Sequence, residues 1–176
     1  MKKILLAALM GSLSLSAGAT PAAPSIDVGF SPEGSAEQLV LRTLDDAHKS
    51  IRLMGYSFTS PEIVKSLVAA KRRGVDVRVV VDDKGNRSKV SRAAMNVVAS
   101  AGIPLRTNDH YKIMHDKVII TDGRNVELGS FNYTRSAARY NSENALVIRG
   151  LPALAETYLT HWQSRWDGGK HWRSSY

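Results

Sequence analysis

The 176-residue chain has no cysteine. That absence excludes disulfides, thiolate metal sites and a cysteine nucleophile, so packing or association must hold the fold. Long apolar runs are also scarce. One stands out, Ile4 to Met10, and it follows Lys2 and Lys3 and precedes small residues ending in Ala17-Gly18-Ala19. This order is that of an export signal, with cleavage after Ala19 or Ala22. The run is too short, and too interrupted by Gly11, Ser12, Ser14 and Ser16, to span a bilayer. The expected division is therefore a signal over 1–22 and one domain over 23–176, with a periplasmic or secreted location and no integral membrane association. There is no internal linker, low-complexity stretch or repeat, so every motif occurs once.

Acidic residues are few, 16 against 24 lysines and arginines. Without Lys2 and Lys3 the remaining chain carries 22 basic residues and a net charge of +6. A basic surface favours polyanions, whether nucleic acid or an anionic lipid surface.

Strand-like and helical stretches alternate. Strands are expected at Ile26–Phe30, Ile51–Phe58, Val75–Val81, Ile103–Arg106, Ile113–Thr121, Val126–Leu128 and Ala145–Ile148. Helices are expected at Ser35–His48, from a Ser60 cap to Gly74, at Ser88–Ala101, Asn132–Arg139 and Leu154–Trp166. The Asp167–Tyr176 tail, rich in glycine, basic and aromatic residues, is expected to be loosely held. The pattern predicts an α/β fold, a mixed β-sheet sandwiched between helices.

The chemistry is concentrated in one stretch, His115-Asp116-Lys117, then Asp122, then Gly129-Ser130-Phe131-Asn132. Written as spacing it is H-x-K-x4-D-x6-G-S-x-N. On a strand, His115 and Lys117 share a face. An imidazole beside a fixed cation, with a hydroxyl and an amide one hairpin later, suits a tetrahedral anion such as phosphate. Lys117, Ser130 and Asn132 are the candidate phosphate ligands, and Gly129 permits close backbone approach. Asp122 belongs to the motif and joins His115 and Lys117 in the candidate catalytic set. Its Asp-Gly turn and its strand parity point to a supporting role. The pair Asp82-Asp83 is the competing metal site, but no further acidic cluster accompanies it. No metal and no cofactor are expected.

This signature resembles that of the phospholipase D superfamily. With one motif copy and an export signal, the chain is similar to the superfamily's small bacterial Nuc-type endonucleases, over roughly Ser25 to Trp166. The resemblance implies a single phospholipase D-like domain and phosphodiester cleavage by two histidines without metal. One histidine attacks phosphorus; the other protonates the leaving oxygen and then activates water. Members use two motifs and this chain has one. The implied assembly is a homodimer whose two His115 residues meet across a two-fold axis. His110 lacks the Lys and Asp spacing and lies five residues from His115, on the other face of a continuous strand. Glu143 resembles the downstream acid that orients the histidine. The expected activity is sequence-nonspecific cleavage of DNA, and of RNA as a further substrate. Lys112, Arg124, Arg135 and Arg139 lie near the motif. The alternative is a phospholipase D acting on lipid head groups. A noncatalytic nucleic-acid-binding protein is disfavoured by the intact motif.

Overall fold

The computed structural model describes residues 23–175. The expected signal, 1–22, lies outside them. In chain order the elements are β1 (Ser25–Ser31), α1 (Ser35–Asp45), β2 (Ser50–Gly55), α2 (Pro61–Arg72), β3 (Asp76–Asp82), α3 (Lys89–Ser100), β4 (Leu105–Asn108), β5 (Lys117–Thr121), β6 (Asn125–Gly129), α4 (Arg135–Arg139), β7 (Glu143–Arg149), α5 (Pro152–Asp167) and β8 (Lys170–His171). A 3-10 turn, Lys84–Asn86, joins β3 to α3.

The strands form one mixed sheet in the order β1-β7-β6-β5-β2-β3-β4-β8. β2, β3 and β4 run parallel, joined through α2 and α3 as two βαβ units. The other pairings are antiparallel. β3 is buried throughout after Arg78, as its unbroken valine run predicts for a central strand. Alternation along the strands separates two cores. Leu53, Val79, Val81, Ile119 and Val147 face α1 to α4. Met54, Val80, Val118, Ile120 and Val126 face α5, with Ala155, Trp162 and Trp166. Trp162 is fully buried because its indole N–H donates to the Leu53 carbonyl at 3.0 Å.

Local chemistry sets the helix starts. Ser60 accepts from the Ile63 N–H, and Pro61 occupies the first helical position. Ser88 caps α3 through the Ser91 N–H. α1 starts at Ser35 as expected, without a side-chain cap. Gly34, at φ 91°, is the cap, and the Ser35 hydroxyl instead accepts from the Phe30 N–H at 2.8 Å. The tail is also tighter than expected. His171 and Lys170 pair with Arg106 and Thr107, and the Trp172 indole donates to Asn96 Oδ1 at 3.0 Å. Composition suggested looseness, but a short edge pairing and one anchored aromatic prevail.

Gly129 is required by space. A Cβ there would lie 2.3 Å from the Asn144 carbonyl oxygen, so β6 and β7 can approach this closely only without one. Gly129→Ala is expected to lower unfolding free energy by roughly 1–3 kcal/mol, the usual cost of overpacking. Urea unfolding at matched protein concentration checks this; an unchanged midpoint would refute the steric argument.

Candidate active site

β5 begins at Lys117, not at Ile113. His115 therefore lies just before the strand, in an extended segment that the sheet does not pair. The reason is a carboxylate. Asp82, at the end of β3, accepts the Met114 N–H through Oδ1 at 2.6 Å and the Gly85 N–H through Oδ2 at 2.6 Å. Met114 is pulled into the α5 core, and the ladder starts after it. Asp83 pairs with Arg87. The Asp82-Asp83 pair is thus committed to chain geometry, and among the described residues no three His, Asp or Glu side chains converge as metal ligands.

His115 and Lys117 both meet Tyr56, which directly follows β2. The His115 ring lies 4.7 Å from the Tyr56 ring, edge-on, and Lys117 Nζ lies 5.6 Å from the same ring. His115 is exposed; Lys117 is 7% exposed. The ammonium donates one hydrogen bond, to the His115 carbonyl at 2.9 Å. Burial lowers the Lys117 pKa, while the charges of Glu143 and Asp116 pull it back up.

The Gly129–Asn132 turn is held by β7. The Asn144 carbonyl accepts from the N–H groups of Ser130 and Phe131, at 3.1 and 3.2 Å. The Ser130 hydroxyl accepts from the Asn144 N–H at 3.0 Å, which leaves its own proton to donate. Asn132 Oδ1 is buried without a partner. The close approach at Gly129 is to Asn144, within the chain. Glu143 opens β7 and accepts from the Asn141 amide at 2.9 Å. It reaches Lys117 electrostatically, and no hydrogen bond joins it to His115 in one chain. Lys117, Ser130 and Glu143 thus gather where β5 starts, β6 ends and β7 starts, with His115 at the rim.

Asp122 is not brought to this site. It lies at the far end of β5, about 16 Å along the strand from Lys117. At φ 56°, its carboxylate accepts the N–H groups of His48, Lys49 and Ser50, the last two at 2.7 and 3.0 Å. These bonds pull its pKa down against its partial burial, which acts to raise it. The motif's aspartate therefore ties the β5–β6 hairpin to the start of β2. Arg124 lies at that far end too, whereas Lys112, Arg135 and Arg139 are exposed towards the site end. His110 packs edge-on against Tyr111, 4.9 Å between rings.

Four partners carried no sequence signal of a role: Tyr56, Asp116, Glu127 and Tyr133. Glu127 is fully buried on the Lys117 side of β6, and Tyr133 donates to its Oε2 at 2.9 Å. Tyr133 lies against Gly55, and its carbonyl accepts from the N–H groups of Thr59 and Ser60, at 2.9 and 3.0 Å. The alternation of β6 marks Glu127 as inward-facing, but an inward glutamate reads as an error of register until Tyr133 is seen beneath it.

A family model described as cardiolipin synthase, PLD-like domain, matches residues 40–166. Among solved structures, the phospholipase D family member Nuc from Salmonella typhimurium is 58% identical, with a TM-score of 0.86 over 86% of this chain and all of that one. NucT from Helicobacter pylori shares the fold, with a TM-score of 0.72 and 20% identity over 85% of this chain. A phospholipase D of Rickettsia conorii is 33% identical over 136 residues, 77% of this chain. A human mitochondrial cardiolipin hydrolase is 32% identical over 154 residues, 82% of this chain. The chain spans 66% and 60% of the length of these last two. The chain belongs to the phospholipase D superfamily, as a phosphodiesterase domain. Within it, the likeness is to the Nuc type.

Burial raises the Glu127 pKa from 4.5 to about 8, with the Tyr133 hydrogen bond opposing the shift. The folded state then keeps a proton that the unfolded chain has lost between those values. Its stabilising contribution is full below pH 4.5 and declines as pH rises through about 8. Glu127→Gln, isosteric and uncharged, should remove this dependence. The stability of wild type relative to the variant should be greater at pH 5 than at pH 8. Denaturant unfolding of both at the two pH values tests it; a constant difference would show Glu127 ionised in the fold.

Proposed function

We propose that the chain is a metal-independent, sequence-nonspecific endonuclease that hydrolyses DNA, with RNA as a further substrate, in the periplasm or outside the cell. The observation that carries this reading is an open anion site, His115 and Lys117 facing the Ser130–Asn132 turn, flanked by the exposed cations Lys112, Arg135 and Arg139. An uncovered site suits a polymer, and contacts to phosphate alone read no sequence. Likeness to Nuc over most of the chain supports the same reading. No helix among the described residues is long and apolar enough to cross a membrane.

In this mechanism a His115 nitrogen attacks phosphorus. Lys117, Ser130 and Asn132 hold the nonbridging oxygens as charge grows on them. The His115 of a second subunit protonates the leaving oxygen, and the P–O bond breaks. That histidine then takes a proton from water, which attacks phosphorus, breaks the P–N bond and frees the first imidazole. Glu143 is assigned the orientation of the histidine. Asp122 holds the hairpin and takes no part in proton transfer.

The homodimer this requires is supported by a sheet face that none of the described elements covers. α5 packs on β2, β4, β5 and β6. Beyond it, Ile26, Val28 and Phe30 of β1 are 64%, 52% and 54% exposed, and cross-strand Leu146 and Ile148 are only half-buried. Phe30 pairs with Asn144, so this stripe ends beside the site. A contiguous apolar strip at such a place suits a self-complementary contact.

The second reading, cleavage of phospholipid head groups, is favoured by the names of the Rickettsia and human relatives.

Plasmid nicking by the mature protein in excess EDTA is expected to proceed, and His115→Ala to lower it at least about 100-fold with the fold intact. No cutting by either protein would move the assignment to phospholipid, with mixed liposomes as the substrate. Val28→Asp should convert a sedimenting dimer into a folded, inactive monomer; a fully active monomer would sink the shared site.

A further inference from the structure

The chain from the end of β4 to the start of β5, which carries His115, has no ladder between the two strands, yet it is held from α5 at three points. The Asn108 amide donates to the Arg165 carbonyl at 2.7 Å. The Arg165 guanidinium lies 4.8 Å over the Tyr111 ring. Third, His161 Nε2 donates to Asp116 Oδ1 at 3.0 Å, while Arg165 Nε lies 3.9 Å from Asp116 Oδ2. His161 and Arg165 are four residues apart, so one face of α5 presents both. Asp116 is the residue between the two signature positions. Its side chain turns to the α5 side of the sheet, and Lys117 turns to the other.

Among the described residues, His115 makes a ring contact with Tyr56 and no side-chain hydrogen bond. Its direction is therefore set through its backbone. Asp82 fixes Met114 on one side of it, and the α5 contact fixes Asp116 on the other.

We propose that Asp116, His161 and Arg165 are positioning residues, a clamp that aims His115 and holds Lys117 in register beneath it. The clamp rests on the phosphodiesterase reading of that site, and none of the three touches the phosphate. Their value is in geometry more than in stability. The side chains of His161, Asp116 and Arg165 are 37%, 25% and 22% exposed, and partly exposed ion pairs contribute little to folding. A misplacement of about 1 Å in a reacting group, by contrast, can cost about 100-fold in rate.

The test uses bis(4-nitrophenyl) phosphate, a small diester that reports the chemistry whether the natural substrate is nucleic acid or lipid. His161→Ala should lower kcat on the order of 10- to 100-fold, with KM within about twofold and little change in melting temperature. His161→Gln, which keeps an N–H donor at similar reach, should recover most of kcat. Asp116→Ala with His161→Ala should lose no more than the worse single variant, because both break one contact. If His161→Ala does not fold, Asp116→Ala carries the same expectation. An active wild type with kcat of the folded variant within about twofold of it, no rescue by glutamine, or additive losses would each overturn the clamp alone. An inert wild type would overturn the phosphodiesterase reading and the clamp together.

Discussion

Lys117 carries its ammonium at the mouth of the sheet with 7% of its surface exposed and one hydrogen bond, to the His115 carbonyl. A desolvated cation is costly unless it is compensated. Here the compensation is incomplete and distributed: the Glu143 and Asp116 carboxylates act through space, and the Tyr56 ring offers its face at 5.6 Å. The remaining deficit is a preference for an anion. On the proposed function, phosphate oxygens supply that anion.

Buried or half-buried carboxylates do the complementary work elsewhere, and each does it by accepting backbone N–H groups. Asp82 ends the β5 ladder at Lys117 by holding Met114. Asp122 fixes the other end of β5 by holding residues 48 to 50. Between them they set the position of a five-residue strand along its own axis, and with it the height of Lys117 at the rim. Anionic acceptors make stronger hydrogen bonds than neutral ones, which suits them to loop anchoring where no ladder exists. The motif's aspartate is therefore a site residue only in the sense that it holds the element carrying the site.

Much of this was legible in the chain. The valine run of β3, the Ser60-Pro61 and Ser88 caps, and the hairpin at Asp122-Gly123 are local signals, and local signals survive folding. The signature spacing places Lys117 and Ser130 at one end of the sheet, with His115 at its rim, because its parts lie within one hairpin and its exit. The expected β-strand from Ile113 was too long because its apolar pattern continues past the point where Asp82, 32 residues earlier in the chain, takes over the Met114 N–H. The buried Glu127 was illegible for a related reason. Its partner Tyr133 is six residues away but reaches it only because the Ser130–Thr134 turn folds back over Gly55. His161, which no spacing along the chain singles out, meets Asp116 across 45 residues. Spacing along the chain does not encode contacts made by a helix returning across the sheet.

A single copy of the motif leaves a site that is chemically half complete. One imidazole can attack phosphorus, but protonating the leaving oxygen calls for a second acid at the same moment, and His110 turns to Tyr111 instead. In the proposed two-histidine mechanism the other half arrives by association, and association needs surface. The uncovered apolar stripe of β1 ends at Phe30, opposite Asn144, the residue that holds Ser130. An edge strand bearing exposed Ile26, Val28 and Phe30 is a liability in a monomer. It is consistent with the proposed mechanism, in which a second copy of the chain supplies the other histidine. On that view the same stripe that destabilises the isolated subunit in water is what brings the second histidine within reach of phosphorus.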